Sequence, residues 1–358
     1  MKQLFFHDFE YIATLIILCF LLIHSLKKRS QPLHSLKLEK SISNILKGIS
    51  CILILIAHFY SMTYGYDNHN VSWFHLSKLC GQFSANTALV IFMFISGYGL
   101  TISHPNKESF IYFCTNRLWK VYKPLLIVCI KSLIVYILLP NTFSIEQLSH
   151  HRITDIVYKS HYISHYPLDI ILFSIGYLDW YVCCITIFYI FYWISTSLFT
   201  ETEKRSYILL TLMIIYYITT YISIGKGQAH FYRYPWAFLA GHLIANLKLY
   251  TTKQKLSLGF IYIIFTGISF YNEDIIQIIG WTIAIFILIT AFLLNNNYYI
   301  EGKNIIHLGH ISYYVYLTHI RIAFVLILYI GFNSLILAIT LSIIISSILY
   351  ILTENKKI

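Results

Sequence analysis

The residues whose types and spacing best suit chemistry lie on one stretch, Lys47-Gly48-Ile49-Ser50-Cys51-Ile52-Leu53-Ile54-Leu55-Ile56-Ala57-His58. In a helix, eleven residues at ~100° each return to within about 20° of the starting direction and rise ~16 Å. Lys47 and His58 then share one face, with a cation at one end and an imidazole near the other. Such a face can hold an anionic group at one membrane surface and offer a proton acceptor toward the opposite one. The same pair also suits a topology anchor and a histidine that packs helices by hydrogen bonding, and spacing alone leaves both readings open.

Other polar residues interrupt apolar runs, where they are costly and so become candidates. His319, with Arg321 two residues on, either orients a substrate or base or hydrogen-bonds between helices. Arg117 and Lys120 fall at i and i+3, with Lys123 beyond, and share a face if they open a helix; they either bind an anion or mark a membrane side. Asp179 and Trp180 stand at the end of a run, where interfacial aromatics are routine, and Asp179 can orient a histidine. Ser96, Gly97 and Gly99 permit close helix approach. His161, His165 and Asp169 have metal-like spacing, but Pro167 breaks the helix this would need, so no metal is expected. Tyr60, Tyr64, Tyr66, Trp73 and Phe74 can stack on sugar rings or form an aromatic belt. The seven cysteines lack CxxC or metal spacing and read as small apolar residues.

The elements that must position these residues follow from composition. The chain has 358 residues, 58% hydrophobic and only 11% charged, under half the charge of an ordinary soluble domain. Its mean hydropathy is +0.67. Apolar runs fall at about 9–26, 46–63, 85–103, 121–139, 177–198, 206–224, 231–247, 256–271, 275–294, 308–330 and 332–352. Unsatisfied backbone groups are costly in hydrocarbon, so runs this long must be helices, and the fold class is all-α, a polytopic membrane protein of about eleven helices.

The net charge of +11 raises a nucleic-acid reading, but the basic residues sit in short tracts between apolar runs and carry topology instead. Of 26 Lys and Arg, 18 fall on one side: Lys27, Lys28, Arg29, Lys37, Lys40, Lys47, Lys107, Arg117, Lys120, Lys123, Lys204, Arg205, Lys248, Lys253, Lys255, Lys303, Lys356 and Lys357. By the positive-inside rule the N-terminus is outside, the C-terminus is cytoplasmic, and the protein is multi-pass in the cell membrane. The loops 64–84 and 140–176 then lie outside. Residues 1–44 form a first span and a basic cytoplasmic loop, 45–352 the main membrane domain, and 353–358 a short cytoplasmic tail.

Five segments, in order, resemble the acyltransferase 3 family of membrane acyltransferases. Lys47-Gly48-Ile49-Ser50 with His58 is similar to its early Arg-Gly-x-Ala…His signature, and Phe92-Met93-Phe94-Ile95-Ser96-Gly97-Tyr98 to its "FFxISGF" helix. Arg117-Leu118-Trp119-Lys120 with Pro124 resembles the Arg-x-x-Arg…Pro segment, and Asp179-Trp180-Tyr181 the "LWFL" helix. Leu308-Gly309-His310-Ile311-Ser312-Tyr313-Tyr314-Val315-Tyr316-Leu317-Thr318-His319 is similar to "LGxISYxxYLxH". Two family arginines are Lys47 and Lys120 here, which keeps charge and loses the bidentate fork.

The resemblance implies a ten-helix core preceded by one additional helix. It implies transfer of an acyl group, acetyl more commonly than succinyl, from cytoplasmic acyl-CoA to a carbohydrate hydroxyl at the outer face. His58 would then be the general base, and Lys47, Arg117 and Lys120 would meet the donor's negative charge. Acyl-CoA is a donor substrate and no bound cofactor is expected; the other partners are a surface polysaccharide or lipid-linked glycan and the lipid bilayer, with no nucleic acid. The competing reading is an exporter or flippase of a surface polysaccharide, against which stands the lack of two related halves with broken helices.

Overall fold

The computed structural model describes residues 2–31, 37–64, 76–104, 107–138, 180–224, 231–271, 273–324, 326–327 and 333–354. Asp179, His161, His165, Asp169, Tyr66, Trp73, Phe74 and most of the loops 64–84 and 140–176 lie outside the described residues.

The described chain is all-α and polytopic, as its hydropathy requires. Its eleven helices are α1 (Lys2–Ser25), α2 (Lys40–Tyr64), α3 (Leu76–Ser103), α4 (Trp119–Leu138), α5 (Trp180–Leu198), α6 (Thr202–Ile224), α7 (Pro235–Ala245), α8 (Thr252–Tyr271), α9 (Ile275–Asn297), α10 (Lys303–Phe324) and α11 (Leu335–Glu354). Seven of them, α1, α2, α3, α5, α6, α9 and α11, are long and apolar enough to cross a membrane. A short turn, Phe110–Phe113, and a π-helical turn, Cys114–Leu118, run directly into α4. Inside the helices, hydroxyls bond back to carbonyls one turn earlier, as Thr14 does to Glu10 at 2.8 Å and Thr186 to Val182 at 2.7 Å. This satisfies their O–H groups locally, and Thr186 also meets Tyr122 Oη of α4 at 3.0 Å.

Helices α2 and α3 form the centre, with 72% and 67% of their spans buried. Helix α2 packs on α3 and α10, while α3 also packs on α7 and α9. Helices α1, α9 and α11 are peripheral, and Phe20, Ile23, Phe286 and Ile351 on them are exposed apolar side chains of the kind that lipid covers. Helix α2 starts at Lys40, six residues before its apolar run, so Lys47 lies two turns inside the helix rather than at its mouth.

One feature without an apolar signature is a two-stranded antiparallel ribbon, β1 (Leu26–Lys28) with β2 (Tyr298–Ile300). Arg29 extends it by donating N–H to Asn297 O at 2.8 Å and pairing with Glu39 at 2.6 Å. Lys123 reaches Thr353 O at 3.0 Å, Arg117 bonds Ser103, and Tyr192 donates to His104 O at 2.7 Å. These contacts gather the described basic tracts at one end of the bundle. At the other end, the Glu10 carboxylate accepts hydrogen bonds from Ser334 Oγ at 2.5 Å and Leu335 N at 3.0 Å, capping α11, and Thr63 donates to Asn333 at 3.0 Å.

The expected small-residue packing is split between its members. A Cβ at Gly97 would overlap the Phe238 carbonyl on α7, and one at Gly241 would overlap the Phe94 carbonyl on α3, so the two glycines form a reciprocal backbone contact. Gly99 points into open space. Gly97→Ala should therefore lower the midpoint of thermal unfolding in detergent, by an overpacking cost of about 1–3 kcal/mol, while Gly99→Ala should leave it unchanged. Equal melting of the two variants would refute this packing.

Candidate functional site

The site is built on the pairing of α2 with α10. Gly48 lies against Leu308 and the backbone of Gly309, where an added Cβ would come within 3.1–3.2 Å of both. One turn on, Cys51 Sγ donates to Ser312 O at 3.3 Å. Two further turns on, the rings of His58 and His319 meet with centroids 5.1 Å apart at an interplanar angle of 48°. Gly48 with Gly309, Cys51 with Ser312 and His58 with His319 are all separated by 261 residues. The two helices therefore run parallel in one register, and that register delivers the histidine pair.

His319 is fully buried and His58 half-buried. The Nδ1 of His319 lies 3.1 Å from Val315 O and 2.6 Å from Tyr316 O. Carbonyls only accept, so Nδ1 carries the proton and the neutral ring keeps its lone pair on Nε2. Two imidazolium charges about 5 Å apart would repel by ~3 kcal/mol at an effective dielectric near 20, so the contact disfavours charge on both rings at once. This leaves one imidazole able to accept a proton.

Aromatic rings from three helices converge beside the histidines. Tyr316 lies 5.9 Å from His319 and 5.1 Å from Tyr181, which in turn meets Phe92 at 6.1 Å and Trp180 at 6.0 Å. Trp180, the first residue of α5, also stacks on Tyr234 at 6.0 Å. Tyr60, a candidate for sugar stacking, is instead buried in helix packing against Gly81.

At the other end of the α2 face, Lys47 is half-buried and lies within electrostatic range of Arg117 and Lys40. Arg117 is half-buried in the π-turn, donates to Ser103 Oγ and lies near Tyr189, Glu108 and Tyr192. Burial pulls its pKa below the ordinary value, Tyr189 and Glu108 oppose that, and an arginine keeps its charge throughout. Lys120 is exposed at the start of α4. A π-turn turns through a smaller angle per residue than an α-helix, so Arg117 and Lys120 do not share the face that i, i+3 spacing predicts. Of the donor candidates, the structure brings Lys47 and Arg117 together and leaves Lys120 outside. The surroundings of Arg117, namely Ser103, Tyr189 and Glu108, gave no signal in the sequence beyond being polar residues at or within apolar runs.

The chain matches the acyltransferase 3 family, whose model is described as an acyltransferase domain, over residues 41–353, and it belongs to that family. The matched segment contains Lys47, His58, Arg117, Lys120, Asp179, Trp180 and His319 and leaves α1 outside. No curated protein and no solved structure matches the chain. The protein is thus a polytopic helical membrane acyltransferase.

If the histidine pair is one functional unit, His319→Ala should lower kcat for acyl transfer by on the order of 10²-fold while donor KM stays within about twofold. Initial rates with varied donor measure this. An unchanged kcat would reduce His319 to a packing residue.

Proposed function

We propose that this acyltransferase moves an acyl group, acetyl in the first instance, from a cytoplasmic acyl-CoA to a hydroxyl of a surface or lipid-linked carbohydrate at the outer face. The observation that carries the reading is the α2 face: a cationic end at Lys47 and Arg117, and ~16 Å along the same helix the imidazole of His58 held against His319. A long-armed polyanionic thioester suits that separation. Its charged end is attracted by Lys47 and Arg117, and its thioester lies near His58.

A sugar hydroxyl is a weak nucleophile near neutral pH. His58 accepts its proton as the oxygen attacks the thioester carbonyl carbon. The tetrahedral adduct collapses by breaking the carbon–sulfur bond, and the imidazolium returns the proton to the departing thiolate, so the products are the O-acyl ester and free CoA. The aromatic group Tyr181, Tyr316 and Trp180 supplies flat apolar faces beside the reacting end, suited to a sugar ring. The basic end of the bundle is cytoplasmic on the positive-inside rule, which places the N-terminus outside and the C-terminus inside.

The test is His58→Ala. The variant should insert and accumulate normally, while mass spectrometry of host surface glycans shows complete loss of the acyl group found with the wild type. Normal acylation in this variant would remove His58 from catalysis. Glycan retained inside the cell, in place of unacylated glycan at the surface, would favour the exporter.

A further inference from the structure

Where α2 and α10 begin, side chains stand together of which the reaction above uses only Lys47. Lys40, Asn44 and Lys47 recur at i, i+4 and i+7 and line one face of α2, as His307 and His310 do on α10. The close backbone approach of Gly309 to Asn44 brings His310 to this face, with Asn44 Nδ2 3.3 Å from His310 Nε2, while His307 Nε2 meets Ser347 Oγ of α11 at 3.2 Å. With the amide donating to Nε2, the ring's own proton sits on Nδ1 as a further donor. Lys40 and His310 are exposed, and Lys47 is half-buried. Both lysines and His307 lie within electrostatic range of His310.

The neighbouring acids are engaged elsewhere. Glu39 pairs with Arg29 at 2.6 Å, Glu354 with Lys123 at 3.5 Å and Glu108 with His104 at 2.5 Å. Among the described residues, no ion pair reaches Lys40, Lys47 or His310. Two ammonium groups and an imidazole donor, held at one seam without a counter-ion, make a site for a multiply charged oxyanion. Along the axis of α2, Lys40 stands ~27 Å from His58, so a ligand reaching both has its charged end far from its reactive end.

We propose that Lys40 and His310 join Lys47 in a phosphate-binding site at the α2–α10 seam, which takes a phosphate of the nucleotide end of the donor. The proposal rests on the acyl-CoA reading above. An anionic lipid headgroup presents the same phosphate chemistry, and the experiment separates the two sources.

The full-length protein in zwitterionic nanodiscs is assayed for CoA binding and for steady-state transfer from acetyl-CoA and from acetyl-pantetheine, which lacks every phosphate. Lys40→Gln and His310→Gln should each raise the CoA Kd and the acetyl-CoA KM by about three- to tenfold, with kcat and the acetyl-pantetheine KM unchanged. Lys40→Arg should restore CoA binding. In nanodiscs containing phosphatidylglycerol, loss of co-purifying anionic lipid in the Gln variants, with CoA binding intact, would assign the same site to a lipid headgroup. Unchanged CoA affinity together with unchanged lipid retention would overturn it. A wild type that neither binds CoA nor transfers from it would instead defeat the acyl-CoA reading, and the phosphate site would then stand or fall on lipid retention alone.

Discussion

The parallel contact of α2 with α10 is the constraint on which the rest of the site depends. Two glycines let the backbones approach, and from that level the helices stay in register for three turns to the facing histidines. A helix is stiff over this distance, so the separation between the cationic end and the imidazole end is a property of the backbone and not of any loop. A residue added at Gly48 or Gly309 would push the helices apart and carry the histidine pair with them. The packing that positions the chemistry is therefore the same packing that folds the centre of the molecule.

Around this pair the bilayer sets the other terms. Many hydroxyls bond back within their own helices, the exposed faces of α1, α9 and α11 carry isoleucine and phenylalanine, and the buried Glu10 is set against Ser334 and Leu335. Two interior histidines, His58 and His319, are brought together. His242 shows the alternative fate of a buried histidine: its two ring nitrogens each lie 2.9 Å from a hydroxyl, Thr101 Oγ1 and Ser206 Oγ, and the ring is absorbed into helix packing. The His58–His319 pair differs by being a contact between two imidazoles.

Much of the architecture was legible in the sequence because hydrocarbon leaves a chain little choice. Each of the eleven apolar runs overlaps a helix, and seven of these helices are long and apolar enough to cross a membrane. What hydropathy missed were features without an apolar signature. Helix α2 begins at Lys40, since Ser41, Ser43 and Asn44 are polar yet helical. The ribbon of Leu26–Lys28 with Tyr298–Ile300 is too short and too charged to read as strand. The π-turn that parts Arg117 from Lys120 has no compositional mark. The histidines were each conspicuous as polar interruptions, but that His58 faces His319 depends on which helices are neighbours, which no spacing within one helix reveals. Gly97 and Gly99 differ only in the helix face they occupy, and the face became meaningful once α7 was known to lie against it.

The Glu10 cap on α11 has a consequence for biogenesis. Helix α1 lies outside the family's matched segment, yet its carboxylate closes on the last helix, across 324 residues of sequence. While the chain is being synthesised, α1 is made long before the Ser334 hydroxyl and Leu335 N–H from which its carboxylate accepts. That contact between α1 and α11 can form only once α11 has been made. The seating of α1 and of α11 is thereby coupled through the Glu10 carboxylate.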